Sequence, residues 1–444
     1  MSAAEIMAAT ASPALRSFES QWRSRTLDSL TPLRETAMRR FLELGLPTTR
    51  DETWRYTNLR KIAATRFADA PDERNSAIEP SASVSLLDGT QRAATVLMVN
   101  GYPMLDSIDS VINDIEIMSL DEISRVDPKI LSGFMGGPAD ADHRRFDLLN
   151  TALFVDGLYL KVTKAVSTPL VILHVGHGSA ADCMAHPRVI IEVMPGASAT
   201  VIEHHVAQGP NPPLVNSHTQ ISLGPDAQLE HYRVFATGAD ATHFDSLEIR
   251  QKRDSRCRQF TIALGGGVVR CSLEDHLDQP GAALESHALL VGHAERHVDC
   301  VNLVTHAAEG THSRQTARAI ASDTSRVIIN SKVIVAAGAV RSESRQSCRG
   351  LLLSPSAEID TRPQLEIHAD EVKCAHGATT GRLDPDMLFY LLSRGLDRNT
   401  AQSLLVYAFL ADVLAGMSVG SARNAIENAL IMQLPDSQLL RDFR

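Results

Sequence analysis

From about residue 150 to 375 the chain is written in short alternating runs. In stretches such as Ala199-Thr200-Val201-Ile202-Glu203 and Ala227-Gln228-Leu229-Glu230-His231-Tyr232, apolar and polar residues change places close to every second position. That period puts them on opposite faces of an extended strand. Small turns punctuate the runs: Met194-Pro195-Gly196-Ala197, Leu223-Gly224-Pro225-Asp226-Ala227, Gln279-Pro280-Gly281-Ala282, Ala337-Gly338-Ala339 and Ser354-Pro355-Ser356-Ala357. Pro195 and Pro225 stand 30 residues apart, and Gly310, Thr324 and Gly338 follow at steps of 14. Many short strands at near-regular spacing, with no helical pattern between them, predict a mainly β chain built as a solenoid, a β-helix. A β-sandwich or barrel is the alternative, but the run is long for one sandwich.

Both ends read as helical. Ser12 caps and Pro13 opens a first helix carrying Leu15, Phe18 and Trp22. After a break near Leu30-Thr31-Pro32, a second carries Leu33, Met38, Phe41 and Leu42 and stops at Gly45 and Pro47. The segment 47–57 mixes turn residues, charge and two aromatics, as a docked loop does. Residues 70–92 read as a linker, Thr95 to Gly101 as a strand ending in a turn, 132–144 as a mobile stretch, and Phe146 to Asn150 as a short helix. Near the other end Asp384 caps and Pro385 opens a helix closed by Gly395. A second starts at Asp397 or Asn399 and runs to Gly416, and a third covers Ser421 to Met432. The apolar run of the second, Leu404 to Leu410, is either buried in the fold or docks a partner. The division is an N-terminal helical domain and linker (1–92), a β-helix core (93–380) and a C-terminal helical domain (381–444).

Composition narrows the function classes. The 444 residues are 44% apolar and 22% charged, with a formal net charge of -10, the balance of a soluble protein rather than a partner of nucleic acid or anionic membrane. The longest apolar run falls far short of the ~20 residues of a membrane span. The first residues carry no basic and apolar leader pattern, and six widely spaced cysteines suit reduced thiols, so a cytoplasmic location is expected. The glycine-rich turn at 264–269 lacks the Lys-Ser/Thr of a phosphate loop and precedes a strand, so no ATP site is expected in this chain.

The sharpest chemistry lies in residues 363–380. Read with a period of two as one strand bent near Asp370-Glu371, it puts Glu366, His368, Asp370, Cys374 and His376 on one face. Cys374 and His376 could hold a transition metal, but two ligands leave a site incomplete. A buried inert Cys beside a surface His is the bland alternative; a Cys–His hydrolase fits poorly, because i, i+2 residues on a strand rarely meet at hydrogen-bond distance. The 17 histidines include His204-His205, His293 with His297, and His306 with His312. None forms an H-E-x-x-H type of spacing, and outward histidines on a solenoid read as surface. Arg314, Arg318, Arg326, Arg341, Arg345 and Arg349 read as a solvated face.

The segments 351–367 (LLLSPSAEIDTRPQLEI), 373–379 (KCAHGAT) and 389–395 (FYLLSRG), together with 47–57 (PTTRDETWRYT) and 149–154 (LNTALF), resemble the SufB/SufD family of scaffold subunits of the SUF iron–sulfur cluster assembly machine. The SufD branch is the nearer one, since the richer cysteine pattern of SufB is missing. The resemblance implies a right-handed parallel β-helix flanked by helical domains. It implies pairing with a SufB-like scaffold, or with a second copy, through the end of the β-helix, and docking of a SufC-like ABC ATPase on the C-terminal helices. Cys374 and His376 match the family's interface Cys and His, and would be ligands to iron or a transient iron–sulfur cluster, His376 ahead of Cys374; Glu366, His368 and Asp370 fall back to structural roles. The expectation is a scaffold and not an enzyme. A purely structural adaptor for the ATPase and a β-helix carbohydrate-active enzyme are the rival readings.

Overall fold

The computed structural model describes residues 12–26, 28–74, 92–105, 114–135, 144–178 and 181–432. Most of the expected linker (75–91) and of the expected mobile stretch (136–143) lie outside the described residues. In chain order the elements begin with α1 (Pro13–Arg23), α2 (Thr31–Leu44), a 3-10 turn (Glu52–Trp54), α3 (Arg60–Ala64) and β1 (Ala68–Asp69). There follow β2 (Ala94–Val99), β3 (Tyr102–Met104), β4 (Ile115–Ser119), α4 (Leu120–Val126), α5 (Pro128–Met135) and α6 (Arg145–Leu153). The solenoid strands are β5 (Leu158–Val162), β6 (Leu170–His177), β7 (Cys183–Ala185), β8 (Arg188–Val193), β9 (Ser198–Gln208), β10 (Leu214–Leu223), β11 (Gln228–Phe235), β12 (Thr242–Gln251) and β13 (Arg256–Ala263). They continue as β14 (Val268–Leu277), β15 (Ala283–Gly292), β16 (His297–His306), β17 (His312–Ala321), β18 (Arg326–Val335), β19 (Glu343–Leu352), β20 (Glu358–Ile367) and β21 (Lys373–Arg382). Three helices end the described chain: α7 (Pro385–Ser393), α8 (Arg398–Leu414) and α9 (Gly420–Met432).

Even-numbered strands stack in one sheet, β20-β18-β16-β14-β12-β10-β8, continued by β5 and β4; odd-numbered ones stack in the other, β21-β19-β17-β15-β13-β11-β9, continued by β6, β2 and β3. Val268 pairs with His297 and His297 with Arg326, so a coil takes 29 residues there. The steps of 14 in the sequence are half-coils, one strand and one corner, and the step of 30 is a whole coil. The expected β-helix is therefore present, with about seven turns and helices at both ends.

The punctuating turns at 194–197, 223–227, 279–282 and 337–339 form one corner of the solenoid, while Ser354-Pro355-Ser356-Ala357 lies at the other, between β19 and β20. At the first of these corners Gly196, Asp226, Asp254, Gly281, Gly310, Arg341 and Glu371 all have positive φ. The Gly196 amide donates to the Pro225 carbonyl at 2.9 Å, Asp226 to Arg253 at 2.9 Å and Gly310 to Val340 at 2.9 Å, each bridging to the next coil. Six of these seven left-handed residues are followed by a small one, and Ala197, Ala227, Ser255, Ala282, Thr311 and Ser342 are all buried on the inside of the tight bend; at the open end Glu371 is followed by half-buried Val372. Between the sheets the inward residues form one continuous apolar core, from Val96 and Leu158 to Val335 and Ala357.

The outer faces are covered by the helical ends. Val406, Leu410, Val413, Ile426 and Leu430 of α8 and α9 pack on Tyr232, Phe260, Leu289 and Ile320, outward residues of the odd sheet. The apolar run in α8 thus buries Val406 and Leu410 in the fold, leaves Leu404, Leu405, Tyr407 and Phe409 half-buried, and exposes Ala408. Phe18 and Phe41 join Trp54, Phe146 and Phe244 in the cluster over the even sheet. The helix caps follow the sequence: Ser12 Oγ accepts the Leu15 amide, Asp384 accepts Asp386, and Asp397 rather than Asn399 caps α8 by accepting the Thr400 amide at 2.9 Å. The short helix expected at Phe146 is longer, Arg145–Leu153. Arg318 is not on a solvated face: it is buried and pairs with Asp412 of α8, which pins that helix to the sheet. Among the described residues no helix is long and apolar enough to cross a membrane.

Candidate functional site

The two ends of the solenoid differ. At one end β3 and β4 turn back antiparallel on β2 and β5. At the other, among the described residues, nothing pairs with the outer edges of β20 and β21. Unpaired parallel edges on both sheets leave a row of free backbone donors and acceptors, an arrangement that monomers normally blunt. Residues 363–380 form this last coil. They are not one bent strand, as the alternation suggested, but the end of β20, a corner, and β21. The corner falls where the bend was expected, at Asp370-Glu371, and Glu371 takes the left-handed conformation.

This corner splits the five polar residues between two sheets. Glu366 pairs in register with Ile334, on the outward side of the even sheet. Its carboxylate accepts Lys332 Nζ at 2.7 Å, and His368 Nε2 lies 2.9 Å from it, a surface cluster. Asp370 is an exposed corner residue. Cys374 and His376 lie in the odd sheet, opposite Ser344 and Gln346. Both of those partners are buried and face inward, so Cys374 and His376 sit at inward-facing positions of an uncovered coil. Cys374 is half-buried against the apolar core; His376 is exposed. The structure brings this pair to one side of one strand and separates it from Glu366, His368 and Asp370.

His376 also ends a polar seam that runs inside the solenoid and that the sequence reading missed. In register, one strand to the next, it comprises His231, Gln259, Ser286, Gln315, Gln346 and His376. The facing sheet answers it. Gln259 Nε2 donates to Asp275 (2.7 Å) and Ser286 (3.0 Å), Asn302 donates to Ser286 (2.8 Å), Ser331 donates to Gln315, and Gln346 donates to Ser331 (3.0 Å). Buried amides and hydroxyls persist inside an apolar core only when so paired. At His376 the next coil that would pair the side chain is missing.

Burial sets the protonation of the interior. It pushes the Cys300 thiol up to about 12 and that of Cys348 to about 11, and holds Cys257 and Cys271 far above the usual range. These are inert neutral thiols. Cys374 is raised too, again by burial, partly offset by a hydrogen bond involving Ser344, but it is the least enclosed of the six cysteines. Burial raises Asp275 from 3.8 to about 7, against the Gln259 hydrogen bond. An acid held above its unfolded pKa favours the fold while protonated, and that contribution is lost as pH rises from about 4 to about 7. Asp275→Asn keeps an acceptor for Gln259 and removes the titration. Relative to wild type the variant is expected to gain up to about 4 kcal/mol between pH 4 and pH 8. Thermal unfolding at both pH values measures it, and an unchanged difference between the two proteins would contradict this.

Two further segments brace the even sheet, and the first of them reaches the end coil. In the docked loop, Trp54 is buried between Phe146 and Phe244, with the Arg270 guanidinium 3.8 Å above its ring. Thr57 Oγ1 donates to Asp299 at 2.5 Å, and Glu52 pairs with Arg362 of β20. In segment 149–154, the Asn150 amide donates to the Pro187 and Asn216 carbonyls (2.9 and 2.7 Å), while buried Arg188 donates to Asn150 and Thr151 (3.0 and 2.9 Å). These contacts clamp α6 on the even sheet.

A helix-sheathed β-solenoid, capped at one end and open at a Cys/His-bearing edge at the other, is the class of protein that these features define. Family models agree with it: residues 175–409 match the SufBD core domain of the SUF system for iron–sulfur cluster assembly, and residues 15–172 match the SufBD N-terminal region. The chain belongs to the SufB/SufD family and is SufD-like within it. It is 28% identical over 413 residues to the iron–sulfur cluster assembly protein SufD of Escherichia coli, covering 91% of this chain and 93% of that one. It is 27% identical to a SufBD family protein of Synechocystis, covering 87% of each, and 24% identical to SufD of Bacillus subtilis, covering 67% and 68%. A role in iron–sulfur cluster assembly follows from this membership.

Proposed function

We propose that this chain is a non-catalytic cytoplasmic scaffold whose last coil is completed by a second, SufB-like scaffold, and that His376, assisted by Cys374, supplies ligands to iron or a nascent cluster at that junction. The observation that carries this is the open end: two unpaired parallel edges, with an imidazole and a thiol on the inward face. A cluster under construction needs soft or borderline donors, shelter from water and a way to be released. A junction between two chains offers all three. The missing ligands come from the partner, and opening the junction exposes the cargo. The raised Cys374 thiol gives up its proton when metal binds, which makes it the weaker ligand until the junction closes.

The C-terminal helices are the proposed dock for a SufC-like ABC ATPase. Met387, Phe389 and Tyr390 of α7 are 58, 72 and 56% exposed, an apolar group of the kind that marks a partner surface. Helices α8 and α9 lie on the outer face of the same sheet that ends in β21, and Arg318 ties α8 to it. In this reading a pull on the helices by ATP-driven ATPase dimerisation strains the sheet and loosens the junction. Affinity purification of the tagged full chain from its native cells under anaerobic conditions is expected to bring down an ABC ATPase and a larger homologous scaffold. Recovery of a lone chain under the same gentle conditions would overturn the reading.

A further inference from the structure

At the closed end of the solenoid His231, the first member of the polar seam, reaches a group of side chains unlike the rest of it. His174 of β6 and Glu203 and His205 of β9 occupy inward positions, and His174 and His205 are register neighbours. They are 4, 0 and 1% exposed. One donor atom from each lies within 4.8 Å of the others. Glu203 is held in place: His174 Nε2 lies 2.9 Å from one carboxylate oxygen, which Thr219 Oγ1 also reaches at 3.0 Å, and His231 Nε2 lies 2.8 Å from the other. His205 stacks between the His174 ring (4.3 Å) and Phe235 (4.8 Å), yet neither of its ring nitrogens has a hydrogen-bond partner. A fully buried imidazole with both nitrogens unpartnered is costly, as at His204 and His218, and at His205 an ion shared with His174 and Glu203 would relieve that cost. A cavity of about 10 Å³ lined by His174, His205, His243 and Asn100 adjoins it, room for one small particle.

The Glu203 carboxylate is surrounded by His174, His231 and the Thr219 hydroxyl, and its register neighbour on β11 is buried Arg233, which pairs with Asp245. Burial pushes the Glu203 carboxyl up, but the His174 and His231 hydrogen bonds outweigh this and hold it well below the usual range, as an anion. Burial, with His174 and His243 close by, keeps His205 neutral, the state in which an imidazole is a ligand.

We propose that His174, Glu203 and His205 form a binding site for a borderline divalent transition cation of the zinc and ferrous class, a resident structural ion that ties β6 to β9. Two imidazoles and one carboxylate suit such an ion better than magnesium or calcium, which take oxygen ligands. Nitrogen and oxygen donors sit about 2.0–2.2 Å from zinc, so modest side-chain rotations close the present spacing around it. His231 and Thr219 hold the carboxylate from behind, as outer-shell partners do. The site lies at the opposite end of the solenoid from His376 and does not depend on the junction proposed above.

The test uses the full-length chain, stripped with a chelator and titrated with Co²⁺ as a spectroscopic probe, then with Zn²⁺ under thermal unfolding. Wild type is expected to take up about one equivalent per chain, with visible cobalt d–d absorption and a Zn²⁺-dependent rise in Tm. His205→Ala is expected to weaken cobalt binding by ~100-fold or more, beyond the ~10–100-fold typical of losing an outer-shell partner. His368→Ala, at an exposed position engaged only with Glu366, leaves the signal unchanged. A folded wild-type chain without cobalt absorption or Tm shift would overturn the proposal, as would equal binding by a folded His205→Ala. If His205→Ala does not fold, Glu203→Gln takes its place. The wild-type cobalt titration decides even if neither variant folds.

Discussion

Replacement of His376 by alanine is expected to stop cluster delivery in cells that rely on this assembly system, while leaving the chain folded and bound to its partners. The side chain is exposed in the isolated chain, so its removal takes away little packing and is expected to change stability by no more than about 0.5 kcal/mol. Its position, in contrast, is fixed by the solenoid: register places it directly below buried Gln346, at the mouth of the interior. A ligand so held by its backbone is not replaced by a neighbour when deleted. Activity of iron–sulfur enzymes in a strain carrying only the variant is expected to fall tenfold or more, the scale at which metal-site substitutions register. Cys374→Ser is expected to do less. His368→Ala, on the outward face of the other sheet and engaged with Glu366, is expected to do nothing. Pull-down of the partners from the same cells separates the two non-enzymatic readings. An intact complex with undiminished cluster delivery in His376→Ala would leave the chain as a structural adaptor only.

The architecture was legible because a solenoid repeats. The left-handed corner residue and the small residue after it recur in coil after coil, so even irregular spacings such as 30 and 14 carried the coil and the half-coil. What alternation could not convey was a change of sheet. From Glu366 to His376 parity is formally continuous, but the corner at Glu371 resets it, and parity is meaningful only within one strand. The histidines were misjudged for a related reason. Alternation marks two faces without saying which is inside, and polar residues were assigned outward by default. In β9 the inward set is Ala199, Val201, Glu203 and His205, so the apolar half of the strand already declared the face on which its polar half lies. Following that parity through would have placed His205 in the interior and His204 on the other side. Arg318 was misjudged likewise, since the helix that covers it arrives from almost a hundred residues later in the chain.

The second large effect expected concerns the loop that braces the open end from outside. Trp54 is 3% exposed, with ring centroids of Phe146 and Phe244 at 5.2 and 5.8 Å, and Arg270 stacks on it. Truncating a buried aromatic of this size costs about 3–5 kcal/mol, and a desolvated cation–π contact adds up to about 2 kcal/mol. Arg270 also pairs with Asp299 and donates to the Thr53 carbonyl at 2.8 Å, so Trp54→Ala loosens a guanidinium that holds the loop backbone. That loop reaches the last coils: Glu52 pairs with Arg362 in β20, and Arg326 of β18 lies 5.2 Å from the Tyr56 ring. Undocking it is therefore expected to be felt at the edge that bears the proposed junction, not in the middle of the solenoid. Hydrogen exchange on the full chain is the measurement. Trp54→Ala is expected to speed exchange in residues 51–57 and in β20 and leave β11 and β13 unchanged, while Trp54→Phe shows a smaller effect of the same pattern. Glu52→Ala, which breaks only a half-exposed ion pair worth about 0–1 kcal/mol, is the control expected to change little. Uniform acceleration along the solenoid in Trp54→Ala would mean that the aromatic supports global stability alone. Protection in β20 unchanged while residues 51–57 are released would mean that the open end stands without its brace.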